Sequence, residues 1–514
     1  MQIAPAAAMA YMINGLPVKA FAADPLLKLL AKHTAAAGTG RVMVLIQLNG
    51  GNDGLNTIIP LDQYSALSAA RSNILIPEKK ALPIVGTKAT GLHPAMTGIQ
   101  NMYNDGMVNI VQGVSYANPN YSHFRATDIW LTGADSNQYL RDGWLGRYLQ
   151  DENPDYPAAI GTDPLAIEIG ITVSTALQGP NVSMGMAVTS IESFYNIVNN
   201  TVTPAPATPA GHELTFLRFI AQQTQTYTGA IQSAAGKAQN LSTMYPEKNY
   251  LAEQLKIVAR LIAGGLTTPI YIVSLGGFDT HSGQADATDT TTGRHADLLS
   301  ELSTAVTAFF DDCKLLKVDD RVAAMTFSEF GRRILSNGGL GTDHGTAAPV
   351  MTFGTNVNPT IIGTNPAIPT NATVRDDLDM QYDYRSVYAA ILADWFKAPK
   401  NIWTDALLDY YPILPIFRKD DVTVLTERGE SPISECYPNP FRDKTCFSFI
   451  SQGGNVTIAL YDAAGRMVKT IVSKDYDAGY HHVYMYRDGL QAGNYVYKFA
   501  NMGKTAAQKM TIID

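Results

Sequence analysis

Aspartate and histidine residues follow several glycine-rich turns of this chain, and their types point to the chemistry of a bound divalent cation. The segment "SLGGFDTHSGQ" places Asp279 and His281 two positions apart, directly after the apolar run "TPIYIVSL". The segment "GTDHGT" contains the adjacent pair Asp343 and His344, and "GGNDGLN" contains Asp53 between glycines. Aspartate and neutral histidine are ligands for Zn²⁺, and carboxylates also bind Ca²⁺, Mg²⁺ or Mn²⁺. Because glycines let several loops approach one another closely, we expect these five residues to share one metal site.

A serine and an arginine provide two further groups that ester hydrolysis needs. Ser122 lies in "YSHFRATDIW" at the predicted start of a helix, where the positive end of the helix dipole favours an anionic substrate or an oxyanion. A divalent cation lowers the pKa of a bound water from about 15.7 to about 7, or activates a serine hydroxyl directly. Arg332 and Arg333, in "SEFGRR", carry guanidinium groups suited to gripping phosphate or sulfate. We expect Ser122 as the nucleophile and Arg332 as an anion clamp.

Each of these residues also has a purely structural interpretation. An aspartate after a strand often caps a helix, "TDHG" is also typical of an Asx-turn, and Ser122 is a favoured N-cap residue. Glu329 and Arg332 would also suit a structural ion pair. Further candidates for the metal site are His93, His123 and Glu329.

Alternating strand and helix patterns supply the elements that would position these residues. The runs "RVMVLIQLNGG", "GMVNIVQGVSY", "TPIYIVSLGG" and "DRVAAMTFSEFG" are nearly unbroken apolar stretches, as in parallel strands that are buried on both faces. Helical patterns such as "HADLLSELSTAVTAFFDDCKLL" lie between them. This alternation predicts an α/β domain over 41–410 with a mostly parallel sheet, interrupted by a helical insertion at about 185–265. Such folds place their chemistry in loops beyond the carboxyl ends of strands.

The composition of the chain limits its partners and its organisation. With 514 residues, the chain exceeds what one hydrophobic core usually serves, so two or more domains are expected. The net charge of −8 and the scattered Lys and Arg residues argue against nucleic acid or an anionic membrane as a partner. The sequence contains no stretch of 18 or more uninterrupted apolar residues, which is the pattern that would predict a membrane span.

The two ends of the chain differ from its centre. Residues 1–40 contain an apolar stretch that is followed by an A-x-A motif at 20–22, and no positive charge precedes the apolar stretch. They are either the remnant of an export signal or an apolar segment that packs on the domain. Residues 411–431 have the composition of a linker, and 432–514 contain short alternating runs separated by turn residues, which predicts a small β-sandwich.

Several motifs of the central region, in order, resemble a known bacterial family. The segments "LIQLNGGNDGLNTIIPL", "SHFRATDIW", "GGFDTHSGQ", "SEFGRR" and "GTDHGT" resemble the bacterial proteins grouped as domain of unknown function 1501, which are similar to the alkaline phosphatase and sulfatase superfamily. The resemblance implies an alkaline phosphatase-like sheet with a metal site at its carboxyl edge. It also implies hydrolysis of an anionic ester, such as a sulfated or phosphorylated glycan.

The resemblance also implies roles for individual residues. Asp53 resembles the first metal-binding aspartate of the superfamily, Ser122 occupies the region of its nucleophile, and Asp343 with His344 resembles its "DHG" metal pair. Asp279 and His281 lie where a further pair is expected, although the superfamily usually spaces that pair more widely. Because no histidine lies between 345 and 480, either one metal is bound or a second metal takes its missing ligand from His93, His123 or His295. The signature C-x-P-x-R is absent, which disfavours a formylglycine sulfatase.

The end of the chain resembles a second family. The segments "YPNPFRD", "NVTIALYDAAGRMV" and "LQAGNYVYKF" resemble the C-terminal sorting domain of Bacteroidetes type IX secretion cargo. This implies export by the type IX secretion machinery to the cell surface or the medium. Together the two resemblances imply a secreted, metal-dependent hydrolase of phosphate or sulfate esters. The alternative is a catalytically silent cell-surface binding or scaffold protein that keeps the fold.

Overall fold

The computed structural model describes most of the chain between residues 40 and 513. The described residues are 12–13, 16–17, 40–157, 161–189, 227–418, 433, 436, 439–442 and 444–513. Within residues 1–39, which form a compact unit of their own, strands β1 (Met12–Ile13) and β2 (Leu16–Pro17) pair in antiparallel fashion. The remainder of the predicted N-terminal segment, part of the predicted insertion and most of the predicted linker lie outside the described residues.

Strands and helices alternate through residues 40–418. The strands are β3 (Val42–Asn49), β4 (Ile58–Pro60), β5 (Leu82–Pro83), β6 (Thr90–Leu92), β7 (Val108–Ser115), β8 (Ala166–Ile169), β9 (Met186–Val188), β10 (Ile270–Gly276), β11 (Val322–Phe327), β12 (Arg332–Ser336), β13 (Thr342–His344), β14 (Ala348–Phe353), β15 (Ile361–Ile362) and β16 (Tyr382–Asp383). The helices are α1 (Gly54–Thr57), α2 (Tyr64–Arg71), α3 (Thr97–Asn104), α4 (His123–Thr132), α5 (Trp144–Glu152), α6 (Tyr250–Ala263), α7 (Arg294–Leu315), α8 (Tyr384–Ala390), which continues as a π-helical turn (Ile391–Trp395), and α9 (Lys400–Leu407). Residues 227–237 are also helical.

A nine-stranded sheet forms the centre of this region. Its strand order is β15-β7-β14-β11-β3-β10-β8-β9, and β16 pairs with β7. The pairs of β3 with β10 and β11, of β10 with β8 and of β8 with β9 are all parallel, whereas β14 is antiparallel to β11 and β7. The predicted α/β fold with a mostly parallel central sheet is therefore confirmed.

Helices cover both faces of the sheet because its central strand is apolar on both sides. In β3, Val44 and Ile46 contribute to a core that includes buried residues of α3, α6 and α7. Met43 and Leu45 contribute to the opposite core, with buried residues of α4, α5, α8 and α9. Within the predicted helical insertion, α6 buries its apolar face in the first of these cores.

Residues 444–513 form an antiparallel β module. Strands β17 (Lys444–Tyr461), β18 (Met467–Tyr486), β19 (Gly493–Asn501) and β20 (Lys504–Ile512) pair in the order β18-β17-β19-β20. Their alternating apolar residues, among them Phe447, Ile458 and Tyr497, form one core. The sequence predicted an all-β unit here, in the form of a small β-sandwich of short strands. The described strands instead form one antiparallel sheet, and two of them are 18 and 20 residues long. No helix among the described residues is long and apolar enough to cross a membrane.

Candidate metal centre

Three neighbouring parallel strands, β11, β3 and β10, end at the same edge of the sheet, and the loops after them meet there. The backbone N–H of Gly50, after β3, donates a hydrogen bond to Glu329 Oε1, after β11, over 2.8 Å. Gly50 has a φ of 122°, and a Cβ atom at this position would lie 2.2 Å from the backbone nitrogen of Asp279, after β10. Only glycine permits this close approach of two loops, and it brings the Asp279 carboxylate over the end of β3.

Three histidine rings converge on the carboxylate of Asp279. Its Oδ1 atom lies 3.1 Å from Nε2 of His281 and 3.2 Å from Nε2 of His344, and these two nitrogens are 2.9 Å apart. Its Oδ2 atom lies 3.4 Å from Nε2 of His123. Ligand atoms of His123, Asp279 and His344 all lie within 4.8 Å of one another. The structure therefore brings together three predicted ligands and His123, which the sequence suggested only as a further candidate.

The Nδ1 atom of each of the three rings faces a hydrogen-bond acceptor. Nδ1 of His123 lies 2.8 Å from Glu329 Oε1, Nδ1 of His281 lies 3.1 Å from Asp343 Oδ1, and Nδ1 of His344 lies 2.8 Å from the carbonyl oxygen of Tyr121. A neutral ring that donates from Nδ1 carries only a lone pair on Nε2. In that tautomer all three Nε2 atoms are suited to bind a metal.

Lone pairs gathered in this way suit a cation bound between them. The Nε2 atoms of His281 and His344 and the Oδ1 atom of Asp279 lie within 2.9–3.2 Å of one another. Zinc bonds of about 2.1 Å in a tetrahedron separate neighbouring ligand atoms by about 3.4 Å. The donor set fits a divalent cation of this kind, and the carboxylate and carbonyl groups behind the rings are the partners that histidine ligands usually have.

The ionisation of the centre favours cation binding. Burial acts to raise the pKa of Asp279, but the hydrogen bond from Arg332 and the neighbouring His344 ring outweigh it and lower this pKa to about 2. Burial lowers the pKa of His344 below its usual value. At neutral pH the carboxylate is thus charged and the ring is neutral, which are the forms that bind a metal.

The buried side chain of Arg332 connects the loops that carry the centre. Its guanidinium is buried and donates to the carbonyl groups of Gly50, Gly51, Phe278 and Thr342, and to Asp279 Oδ1 over 2.8 Å. Every guanidinium nitrogen therefore has a protein acceptor. An anion clamp, the role expected from the sequence, would need donors that face the substrate. The contacts instead make Arg332 a positioning residue that ties the three loops to the carboxylate.

Asp53 lies outside the cluster of ligand atoms. It is 1% exposed, and both of its carboxylate oxygens accept from Nη1 of the equally buried Arg71, at 2.9 and 2.8 Å. It also caps α1 through the N–H of Leu55 and accepts from Gln284 over 2.6 Å. Burial acts to raise its pKa, but the nearby Arg71 reverses this and lowers it. These contacts match the structural interpretation of an aspartate after a strand, and we do not include Asp53 among the proposed ligands.

Asp53 still supports the centre through Gln284. The Oε1 atom of Gln284 accepts from the hydroxyl of Thr280, over 3.1 Å, and from that of Thr342, over 2.7 Å. These threonines directly follow Asp279 and directly precede Asp343. The buried aspartate therefore positions the two loops through an amide.

Two further histidines lie in the same buried layer, outside the cluster. Nδ1 of His93 accepts from the N–H of Ala95 over 3.1 Å, and Nε2 of His295 lies 3.0 Å from Oδ1 of Asn52. The two rings meet edge to face with centroids 6.0 Å apart. Burial lowers the pKa of His93 to about 3 and that of His295 to about 4. Neither ring supplies the additional ligand that the sequence left open.

Ser122 lies between two residues that contact the cluster. It is the exposed N-cap residue of α4, and its side chain makes no capping hydrogen bond. The carbonyl group of Tyr121 accepts from His344, and the ring of His123 faces Asp279. Ser122 thus lies in sequence between two residues that contact the cluster, and its hydroxyl has no hydrogen-bond partner among the described residues.

Two residues that bond to the cluster, Tyr121 and Asn337, were not predicted from the sequence. Tyr121 acts through a backbone carbonyl, which every residue has. The side-chain amide of Asn337 donates to Asp343 Oδ1, over 3.1 Å, and to the carbonyl group of His281, over 3.0 Å. This hydrogen bond lowers the pKa of Asp343. The glycines around Asn337 in "SNGGLGTDHG" were the available hint that its loop closes over a neighbour.

The fold and the centre together define an α/β protein with a histidine–aspartate cluster at the carboxyl edge of its sheet. Two family models match parts of the chain. Residues 208–398 match the family described as "Protein of unknown function (DUF1501)". Residues 435–513 match the "Secretion system C-terminal sorting domain". Both resemblances seen in the motifs are confirmed, and the second marks the chain for export by type IX secretion. No curated protein matches the chain.

Several solved structures are similar to the chain at low identity. A protein in the alkaline phosphatase superfamily from Vibrio parahaemolyticus has 10% identity and a TM-score of 0.31, over 84% of this chain and 82% of that chain. The PsFucS1 sulfatase from Pseudoalteromonas sp. has 10% identity and a TM-score of 0.34, over 90% and 86%. Alkaline phosphatase from the Antarctic bacterium TAB5 has 8% identity and a TM-score of 0.26, over 63% and 94%. At these identities the site itself has to support a function.

Proposed function

We propose that this chain is an exported, metal-dependent hydrolase of phosphate or sulfate esters. The observation that carries the proposal is the convergence of three histidine Nε2 atoms on the Asp279 carboxylate. Three nitrogen ligands and one oxygen ligand favour Zn²⁺ over Ca²⁺ or Mg²⁺, which prefer oxygen. The proposed ligands are His123, Asp279, His281 and His344, with Glu329 and Asp343 orienting two of the rings.

Ser122 is the proposed nucleophile. A cation in the cluster would supply Lewis acidity to the ester group and to the serine hydroxyl. The Ser122 Oγ atom would attack phosphorus or sulfur, its proton would leave to solvent, and the alcohol of the ester would depart. Water would then release phosphate or sulfate from the serine.

The start of α4 is the proposed holder of the anionic group, in place of Arg332. Because the Ser122 side chain does not cap this ten-residue helix, the N–H groups of its first turn remain available to a ligand. Helix N-termini bind phosphate and sulfate through such groups and through the helix dipole. The ester would thus lie between α4 and the cluster, within reach of Ser122.

The test measures metal content and ester turnover of the purified full-length chain. We expect about one equivalent of zinc by elemental analysis, and hydrolysis of p-nitrophenyl phosphate or p-nitrophenyl sulfate. Ser122→Ala should abolish turnover and retain the metal, whereas His344→Ala should lose both. A wild-type chain with neither metal nor turnover of either ester would contradict the proposal and favour the catalytically silent binding protein.

A further inference from the structure

A cleft of about 580 Å³ opens at the other end of β7 from the metal centre. Its walls come from the turn before β6 (85–90), the end of α3 (103–106) and the segment around β15 (359–365). Residues 103–106 precede β7, whereas Ser122 follows it, and no residue that lines the cleft belongs to the cluster. The volume lies within the range of about 300–1,000 Å³ that is usual for small-molecule sites.

The walls of the cleft are polar but carry no positive charge. None of the residues that line it is Lys or Arg, and the polar ones are threonines, asparagines, a tyrosine and a single carboxylate, that of Asp62. Arg418 lies behind the wall, where its guanidinium donates to the carbonyl groups of Gly106 and Val357. Lys88, between the lining residues Thr87 and Ala89, is exposed and is not itself part of the lining. No cation is therefore built into the walls to hold a phosphate or sulfate group, so a neutral ligand fits the cleft better than the anionic ester proposed for the metal centre.

Asn365 holds one wall rigid. Its Oδ1 atom accepts from Thr90 Oγ1, over 2.9 Å, and from Gln112 Nε2, over 3.1 Å. Its Nδ2 atom donates to Asp62 Oδ1, over 2.7 Å, and to the carbonyl group of Ala89, over 2.8 Å. The amide is fully used, and the Asp62 carboxylate is therefore held in place before a ligand arrives.

Several polar atoms of the lining residues have no partner within the described part of the chain. Tyr103 is 5% exposed as a whole residue, and its hydroxyl makes no hydrogen bond to the described residues. Asp62 Oδ2, Asn104 Nδ2 and the hydroxyl proton of Thr87 are also unpaired, while the other polar atoms of these three residues are engaged. Asp62 and Asn104 are exposed, so these groups are open to a ligand that enters the cleft.

We propose that this cleft binds a neutral carbohydrate. The unpaired groups comprise a carboxylate acceptor, an amide donor and two hydroxyls, which together complement hydroxyl groups that both donate and accept. Val85, Pro359 and Ile361 add apolar surface for the C–H faces of a sugar ring. The site is separate from the metal centre, and its occupation does not depend on hydrolysis.

Glycan binding by the full-length chain tests the proposal. An array of neutral oligosaccharides and their sulfated counterparts is screened, and the strongest neutral binder is then titrated by calorimetry. Tyr103→Phe removes only the unpaired hydroxyl, and Asp62→Asn keeps the bond to Asn365 but replaces the free acceptor with a donor. We expect each variant to weaken binding about tenfold, as for the loss of one buried hydrogen bond.

Two controls separate this site from the metal centre. Tyr250→Phe removes a hydroxyl from a tyrosine that is 64% exposed on α6, and Ser122→Ala removes the proposed nucleophile; both should bind the glycan as the wild type does. Absence of any neutral binder, tighter binding of the sulfated counterparts, or unchanged affinity in Tyr103→Phe would each overturn the proposal. None of these results bears on turnover at the metal centre.

Discussion

At the scale of single residues, the partner of each Nδ1 atom decides what the opposite nitrogen can do. Glu329, Asp343 and the carbonyl group of Tyr121 each accept from one ring that donates through Nδ1. Sequence reasoning placed Asp279, His281 and His344 in one site because their types stand out beside glycines, and the structure brings these three side chains together. The sequence did not predict the pairing of Asp53 with Arg71, which depends on a contact that no local pattern encodes.

Glu329→Ala should weaken metal binding by about 10- to 100-fold, since it removes the acceptor that orients the His123 ring. Glu329→Gln retains an oxygen for both His123 and Gly50, so its loss of affinity should be smaller. Competition with a chromophoric zinc chelator measures both dissociation constants. Equal affinity in Glu329→Ala and the wild type would remove His123 from the ligand set.

Arg332→Lys should destabilise the fold by about 2–4 kcal/mol, because buried carbonyl groups lose their donors. Arg333→Lys is the matched control: this side chain is 21% exposed and pairs with Asp377, so we expect a change of about 1 kcal/mol or less. Urea unfolding gives both values. A stable Arg332→Lys chain whose only defect is a raised KM would restore the anion-clamp role.

At the scale of elements, the site exists because three parallel strands stop at one edge. The apolar runs predicted β3, β10 and β11 and the edge at which their loops meet. They did not predict that β14 runs antiparallel to its neighbours, because an unbroken apolar run has the same composition in either direction. Nor did they show how closely the loops approach, which depends on the backbone of Gly50.

Gly50→Ala should separate the loops after β3 and β10, because its Cβ atom would lie 2.2 Å from the Asp279 nitrogen. We expect a loss of stability of more than about 2 kcal/mol and at least tenfold weaker metal binding. Gly276→Ala is the control, since a Cβ atom at the end of β10 meets nothing within 4 Å. Thermal unfolding measures the stability of both variants, and zinc titration measures their metal affinity. Similar values for the two variants would show that the loops tolerate displacement.

At the scale of the whole molecule, the buried histidines couple stability to pH. His93 and His295 have pKa values of about 3 and about 4 in the folded chain, against 6.5 when exposed. Their pKa is lowered by folding, so the unfolded chain binds more protons between these limits. Stability is therefore complete above about pH 6.5 and falls as the pH drops toward 4.

This stability loss should be on the order of 1 kcal/mol per pH unit for each ring. We expect the free energy of unfolding, measured in urea at pH 7.5 and 5, to drop clearly for the wild type. His295→Asn should show a flatter dependence, because one of the two titrating groups is gone. An unchanged slope in His295→Asn would mean that His295 does not contribute.

The proposed ligands lie far apart in the chain, at 123, 279, 281 and 344, and meet only at the edge of the assembled sheet. An ion bound there would act as a reversible cross-link that closes long stretches of polypeptide, and closing a longer stretch removes more freedom from the unfolded chain. The cation would then stabilise the folded protein outside the cell in addition to taking part in the reaction. At a low concentration of the ion, the protein would lose stability as well as activity.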